Sequence, residues 1–304
     1  MPRPALYAPR YWPTWLMVLP FAVLTFLPWR LQFACGRLIG RLARRLAHRR
    51  RAITETNLTR CFPDMEPDER DRLSREHFES LGIALVETAA GWWAPDWRLR
   101  PRVDIEGEEH LQKANAENRG ILMLTAHFTT LELGGRFLAL DHSVMVVYHP
   151  HKNPVINHLM SSRRDANGDG IIERGDLRSM LRNLRQNATI WYAPDQAYVR
   201  KGWVAAPFFG VPAPTNTATS RIAQSTGAAV IPFFIKRLPT GRYRLRILPP
   251  LDNFPSGDHE ADAARVNAVL EEGIREAPAQ YLWSHDRFKL FRRPVRSTPP
   301  RNKS

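Results

Sequence analysis

The chain has 304 residues, of which 43% are hydrophobic and 10% aromatic, a composition that is globular and excludes an extended disordered protein. Its two cysteines, Cys35 and Cys61, cannot form a disulfide framework and fit a reducing compartment. The formal net charge of +14 favours an anionic partner, and nucleic acid, anionic lipid, a phosphorylated glycolipid and an acidic carrier protein all satisfy it.

The first predicted element is an apolar segment near the N-terminus. Residues 11–29 carry no charged side chain, and a spanning helix needs about 20 apolar residues. Tryptophans near both ends suit a membrane interface, whereas Pro20 in the centre would kink a helix. We therefore assign residues 1–30 to a membrane anchor, either a true span or a kinked helix lying in one leaflet. The alternative is a buried core helix.

A basic stretch follows the apolar segment. Eight arginines lie between residues 30 and 51, whereas two precede the segment. The positive-inside rule then places the chain after residue 30 in the cytoplasm. Apolar residues interleave with these arginines, as in a basic amphipathic helix on an anionic membrane surface, although a solvated helix face remains the alternative. An apolar stripe after Pro67 extends the helical pattern, so residues 31–100 are predicted to be a helical, membrane-proximal region.

From residue 101 the pattern alternates between strands and helices. The predicted strands are 121–124, 144–148, 189–192, 228–235 and 243–248. The predicted helices are 108–117, 131–140, 155–164, 177–186, 217–226 and 260–276. This alternation predicts an α/β catalytic domain over residues 101–291, with a sheet covered by helices. Residues 292–304 are rich in Arg, Pro and Ser and are predicted to be a flexible tail.

A histidine lies where the first of these strands gives way to a helix. Glu132 follows His127 by five residues, and positions i and i+5 do not share a helical face. The two can meet if His127 is in the turn and Glu132 in the first helical turn. A carboxylate would then hold the imidazole in one tautomer while its other nitrogen takes a proton from a hydroxyl. The alternative is a capping box formed by Thr129 and Glu132, with a structural histidine.

Three further groups of residues could take part in a site. Arg164 closes a helix-like run, Asp195 follows a strand within 192–196, and residues 281–289 are rich in aromatic and basic side chains. Each has a structural explanation on its own, because arginine complements a helix C-terminus and Pro-Asp is a common turn. Residues 165–170 resemble part of a calcium loop but lack the glutamate expected at its twelfth position. Neither a metal nor a cofactor is expected.

Five blocks of residues follow one another along the chain. They are HFTTLE at 127–132, Arg164, YAPDQ at 192–196, PFFG at 207–210 with TGA at 226–228, and WSHDRFK at 283–289. In this order they resemble the lipid A late acyltransferases, the lauroyl/myristoyl transferase family of Gram-negative inner membranes, in which the first block is the His-x4-acid motif. The resemblance covers nearly the whole chain after a short N-terminus. Ala197 and Val199 depart from the family pattern, which has a second Asp and a Gly there, so the length of the acyl chain is not predicted.

The resemblance implies a mixed sheet flanked by helices, like that of glycerolipid acyltransferases. It also implies an acyl-carrier-protein thioester as donor and a Kdo-bearing lipid A precursor as acceptor. His127 would act as general base and Glu132 would orient it, and the acceptor hydroxyl would attack the thioester without an acyl-enzyme. Arg164 and Asp195 are expected to pair and fix the wall of the site. Alternatively, Arg164 reaches the thioester oxyanion or an acceptor phosphate.

The predicted partners are therefore acyl carrier protein, a phosphorylated glycolipid and anionic lipids of the bacterial inner membrane. The catalytic domain is expected to face the cytoplasm, and no nucleic acid is expected as a partner. Two alternatives stay open. The acceptor could be another membrane lipid, such as a lysophospholipid or a mannosylated phosphoinositide. The chain could also be a membrane-anchored basic binding protein, which would leave His127, Glu132 and Asp195 without a role.

Overall fold

A computed structural model describes residues 6–168, 170–199 and 202–291 and is organised around a seven-stranded sheet. In chain order the strands are β1 (Val103–Glu106), β2 (Ile121–Leu124), β3 (Met145–Tyr148), β4 (Ile171–Glu173), β5 (Thr189–Tyr192), β6 (Trp203–Phe208), β7 (Val211–Asn216), β8 (Ala229–Arg237) and β9 (Tyr243–Ile247). The sheet has the order β1-β9-β8-β2-β5-β3-β4, and β6 pairs with β7 separately. Its neighbouring strands are parallel except β8 and β9, so the predicted mixed α/β sheet is confirmed.

Helices cover both faces of this sheet. They are α1 (Trp12–Leu24), α2 (Trp29–Leu46), α3 (His48–Cys61), α4 (Pro67–Trp93), α5 (Asp96–Leu99), α6 (Glu108–Ala116), α7 (Leu131–Leu138), α8 (Pro154–Asn167), α9 (Leu177–Arg185), α10 (Ala218–Thr226) and α11 (His259–Glu276). Every helix and strand predicted after residue 101 has a counterpart whose ends differ by at most three residues. The flexible tail predicted for 292–304 lies outside the described residues.

Strands β1, β4, β6 and β7 were not predicted from the sequence. β1 is four residues long, and its apolar residues alternate with acidic ones, which gives no continuous apolar run. β4 has three residues. The β6–β7 hairpin contains prolines at 207, 212 and 214, and proline lowers the strand signal because it cannot donate to a ladder. A separate two-stranded hairpin tolerates these prolines, because both of its strands are edge strands and only one side of each needs to form ladder hydrogen bonds.

The residues of β2 are fully buried and divide the hydrophobic core into two layers. Leu122 and Leu124 pack on one face, together with apolar residues of α9, α10 and α11. Ile121 and Met123 pack on the other, together with α4, α7 and Phe33 of α2. Alternating sides are a consequence of the two-residue period of a strand. The helical region before residue 101 therefore shares its core with the sheet.

The N-terminal apolar segment is divided between two helices. α1 ends at Leu24, and Pro28 caps the start of α2. Among the described residues, no helix is both long and apolar enough to cross a membrane, although the sequence had left a true span open. Several large apolar side chains of this region are exposed. They are Trp12, Leu16, Met17, Leu19, Val23, Phe26, Leu31, Leu38, Leu42 and Leu46.

α2 packs against α4 through three glycines. A Cβ atom added at Gly40 would lie 2.1 Å from the carbonyl oxygen of Phe78, and one added at Gly82 would lie 2.0 Å from the carbonyl oxygen of Gly36. The two backbones are therefore in direct contact. No side chain can be inserted there without separating the helices, because protein interiors are close-packed.

We expect Gly40→Val to lower the free energy of unfolding by about 2–3 kcal/mol, since the new side chain overlaps the backbone of α4. Leu42→Val is the matched control, because it also places a valine on α2, but at a side chain that is 53% exposed. Urea denaturation of both variants measures the difference. Equal losses would contradict a close contact between the backbones.

Candidate active site

Two adjacent parallel strands bring His127 and Asp195 together. Leu124 at the end of β2 pairs with Tyr192 at the end of β5, and the Thr125 N–H donates to the Tyr192 carbonyl at 3.0 Å. His127 lies three residues after the end of β2, and Asp195 lies three residues after the end of β5. Nδ1 of His127 then lies 2.5 Å from Oδ1 of Asp195. The carboxyl edge of parallel strands is a usual position for functional side chains.

Burial and charge act in opposite directions on this pair. The Asp195 side chain is 2% exposed and that of His127 28% exposed. Burial lowers the pKa of His127, but the charge and hydrogen bond of Asp195 outweigh it, so this pKa is raised. Burial likewise would raise the pKa of Asp195, but His127, with a smaller contribution from Arg287, lowers it. An ionised Asp195 accepts a hydrogen bond from the Nδ1–H of His127, which leaves Nε2 as the basic nitrogen.

The C-terminal segment fixes the backbone around this pair. The Leu282 N–H donates to the His127 carbonyl at 2.9 Å, and Phe128 and Tyr281 form a β-bridge. Burial first, and then the charge of Asp195, raise the pKa of the Tyr281 hydroxyl well above its usual value. The hydroxyl is therefore protonated and remains a hydrogen-bond donor beside the carboxylate.

His285 holds the loop that follows Asp195. Its Nε2 accepts a hydrogen bond from the Ala197 N–H at 3.1 Å, and its carbonyl accepts one from the Asn57 side chain at 2.7 Å. Burial chiefly lowers the pKa of His285 to about 4. The ring is therefore neutral near pH 7 and can serve as an acceptor.

Arg287 brings a buried positive charge close to the site. It is 2% exposed, and its guanidinium lies 5.1 Å from the centre of the Phe208 ring. Its hydrogen bonds go to neutral acceptors, namely the Pro214 carbonyl, Oγ1 of Thr215 at 2.9 Å and Oδ1 of Asn267 at 3.4 Å. Its charge is one of the groups that lower the pKa of Asp195.

Glu132 makes its contacts away from His127. The predicted pairing of His127 with Glu132, and that of Arg164 with Asp195, are therefore both wrong. Nε of Arg164 donates to Glu132 at 3.0 Å, its Nη2 donates to the other carboxylate oxygen, and Nε1 of Trp92 donates at 2.8 Å. Glu132 therefore pairs with Arg164, and Asp195 pairs with His127. The physical reason is that α7 packs on α4, where Trp92 and, from α8, Arg164 provide donors for the Glu132 carboxylate.

The capping-box alternative is also wrong. Thr130, rather than Thr129, is the N-cap of α7, and its side chain makes no capping hydrogen bond. The Thr129 hydroxyl is bonded instead to Ser80 at 2.7 Å. Glu132 thus has side-chain partners rather than backbone ones.

Two residues near the site were not predicted from the sequence. Nothing in the sequence position of Trp92 indicates its bond to Glu132, forty residues later. Arg174 follows β4, and its charge opposes protonation of His127. Because the sequence did not predict β4, it could not place Arg174 at the end of this edge strand. Within the described chain, no group of three His, Cys, Asp or Glu side chains could hold a metal ion.

This arrangement predicts a pH dependence that Asp195 controls. His127 accepts a proton only when neutral, so kcat/KM should rise with pH through a value above the ordinary histidine pKa of 6.5. Asp195→Asn should move this limb to lower pH and reduce kcat by about 10²–10⁴-fold. Asp176→Asn, which changes an exposed helix cap, is the control and should leave the profile unchanged. An unshifted midpoint in Asp195→Asn would show that the carboxylate does not set the pKa of His127.

A double-mutant cycle tests the second pair. Glu132→Gln and Arg164→Gln each leave a partly buried charge without its partner. The free energy of unfolding that the double variant loses should therefore be about 0.5–3 kcal/mol smaller than the sum of the two single losses. The free energy of unfolding from urea titration is the measurement. Arg164→Gln combined with Asp195→Asn is the control and should be nearly additive. If Arg164 and Asp195 are coupled while Glu132 and Arg164 are additive, Arg164 pairs with Asp195, as expected from the sequence, and the pairing in the structure is contradicted.

Comparison with known proteins identifies relatives over almost the whole chain. The sequence model of a family described as bacterial lipid A biosynthesis acyltransferase matches residues 2–290. The chain is 39% identical to the lipid A biosynthesis lauroyltransferase and 38% identical to the lipid A biosynthesis palmitoleoyltransferase of Escherichia coli (strain K12), over 94% of each chain. Among solved structures, the 1-acyl-sn-glycerophosphate acyltransferase PlsC of Thermotoga maritima has a TM-score of 0.40 and 19% identity, covering 84% of this chain and 99% of that one.

Proposed function

The chain belongs to the bacterial lipid A biosynthesis acyltransferase family, and from this premise we propose that it transfers a fatty acyl chain from acyl carrier protein to a hydroxyl of a Kdo-bearing lipid A precursor. The chain is thus an acyltransferase, and the alternative of a binding protein without catalysis is wrong. The observation that supports the proposed mechanism is the His127–Asp195 pair at the carboxyl edge of the sheet.

The proposed reaction is a direct acyl transfer. Nε2 of neutral His127 takes the proton of the acceptor hydroxyl as its oxygen attacks the thioester carbonyl. The tetrahedral intermediate then expels the thiolate of the carrier protein, and this thiolate takes the proton from the imidazolium of His127. The products are an ester and a free thiol, so no acyl-enzyme forms. Asp195 keeps the ring in one tautomer and stabilises its positive charge while the proton is held.

The Glu132–Arg164 pair has a separate role in this proposal. A guanidinium has five N–H donors, and Glu132 accepts two of them. The remaining donors of Arg164 can meet an anionic oxygen, either on the tetrahedral intermediate or on an acceptor phosphate. Glu132 keeps the guanidinium plane in place through the paired bonds and is itself held by Trp92.

We further propose that α1 and α2 attach the enzyme to the inner membrane from the cytoplasmic side. Their exposed apolar side chains, such as Leu16, Val23 and Leu38, could enter the lipid interface. The arginines of α2 would lie among anionic headgroups. The excess of arginine after residue 30 supports a cytoplasmic catalytic domain.

His127→Ala should reduce acyl transfer from labelled acyl carrier protein to the Kdo-bearing precursor by about 10²–10⁴-fold, because the general base is lost. The midpoint of thermal unfolding should fall as well, because the buried carboxylate of Asp195 loses its partner, so activity is compared at a temperature at which the variant is folded. His48→Ala, at an exposed position on α3, should retain full activity. The assay follows the labelled product by thin-layer chromatography.

Cells provide the matching test of the acceptor. Lipid A from cells that lack this protein should have lost one secondary acyl chain by mass spectrometry, and the wild-type gene, but not His127→Ala, should restore it. An unchanged lipid A mass would contradict the proposed acceptor. Transfer to a lysophospholipid in the purified assay, with none to the lipid A precursor, would favour the other membrane lipids instead.

A further inference from the structure

A large basic cleft lies outside the site described above. It measures about 900 Å³ and is formed by the start of α2, by α5 with the turn that follows it, and by the turn between β8 and β9. β8 runs parallel to β2, so its C-terminal turn lies at the same edge of the sheet as His127. Pro232 of β8 pairs with Leu124 at the end of β2, and β8 continues to Arg237. The turn therefore begins roughly 17 Å beyond the end of β2 along the strand direction and one to two strands to the side.

The charge of this cleft is positive. Its described lining contains the arginines Arg30, Arg37, Arg98 and Arg102 and no acidic side chain. Burial, together with the charges of Arg98 and Arg242, lowers the pKa of Arg102. For Arg30 and Arg37, the described residues provide no ion pair. The arginines therefore converge without a protein carboxylate in the cleft to neutralise them, which is an environment suited to an anion.

An unpartnered donor lies in the same cleft. Trp29 is 5% exposed, and its indole N–H is buried without an acceptor among the described residues. The guanidinium of Arg102 lies 5.2 Å from the centre of its ring. A buried donor without a partner is costly, by about 1–3 kcal/mol.

The surroundings of the cleft favour a lipid over a soluble protein. Phe26 and Leu31 are exposed on either side of its start, and Trp97 at its rim is 74% exposed. These side chains continue the exposed apolar surface of α1 and α2. A ligand that enters here with its acyl chains along that surface would present its polar headgroup to the arginines.

We propose that this cleft binds a phosphate group of the glycolipid acceptor and thereby orients the acceptor hydroxyl towards His127. The guanidinium groups of Arg30, Arg98 and Arg102 form charge-assisted hydrogen bonds to the phosphate oxygens, and Trp97 packs against the apolar part of the lipid. The inference rests on the proposed function, because it assigns a subsite for the acceptor of that reaction.

The test compares phosphorylated and dephosphorylated acceptors. For Arg30→Gln/Arg102→Gln, the KM for a Kdo-bearing diphosphorylated precursor should rise about 10–100-fold. The kcat and the KM for acyl carrier protein should stay close to wild type. With the phosphatase-treated precursor, variant and wild type should become equal. Arg45→Gln/Arg49→Gln, which removes two exposed charges outside the cleft, is the matched control and should not change the KM.

Several outcomes would overturn the proposal. The KM of Arg30→Gln/Arg102→Gln could rise equally for the phosphorylated and the phosphatase-treated precursor, or the KM of Arg45→Gln/Arg49→Gln could rise as much. Either result would show that phosphate is not recognised in the cleft. A raised KM for the carrier protein alone would assign the cleft to the donor. Weaker attachment to phosphatidylglycerol vesicles, with an unchanged KM for the glycolipid, would assign it to the bilayer.

A binding measurement separates this inference from the proposed function. In the His127→Ala background, the Kd of the diphosphorylated precursor in detergent micelles is measured with and without Arg30→Gln/Arg102→Gln. A Kd that rises about 10–100-fold supports the cleft even if no acyl transfer is found, in which case the proposed function alone fails. An unchanged Kd overturns the cleft even if the transfer is confirmed.

Discussion

The active site depends on keeping the buried carboxylate of Asp195 ionised. A buried charge is costly unless it is paired and hydrogen-bonded, and the surrounding residues provide that compensation. His127 contributes the direct bond, Arg287 contributes a buried positive charge, and Tyr281 brings a protonated hydroxyl. These groups come from the ends of β2 and β5 and from the C-terminal segment. The site therefore requires the sheet and the segment to be assembled together.

Charge is distributed so that the anions near the core have their own cations. Glu132 is paired with Arg164, and Glu87, which is almost fully buried, accepts from Arg237 at 2.7 Å and from the Tyr243 hydroxyl. The surplus that gives the net charge of +14 includes arginines on the first helices and in the basic cleft. Part of the positive charge thus lies on surfaces proposed to meet membrane lipid and phosphate, while Arg174 and Arg287 bring positive charge to the site.

Much of the fold could be predicted because its apolar runs are clear. The ends of β2 and β5 were predicted to the residue, and this placed His127 and Asp195 at strand ends. Their pairing could not be predicted, since it depends on β2 and β5 being neighbours in the sheet, which the order of residues does not show. The same holds for Glu132, whose partner Arg164 lies on a different helix, α8, 32 residues later in the chain. Short strands such as β1 and β4 carry too few residues for a periodic signal.

The contact between Leu282 and His127 also bears on how the enzyme is made. A chain emerging from the ribosome exposes its N-terminal helices and the central strands first, because synthesis proceeds from the N-terminus. The segment that bonds to the His127 carbonyl and brings Tyr281 and Arg287 to Asp195 follows every strand of the sheet in the chain and therefore emerges after them. The catalytic centre is therefore incomplete while the strands of the sheet are being synthesised, and it forms only when this segment docks beside the ends of β2 and β5.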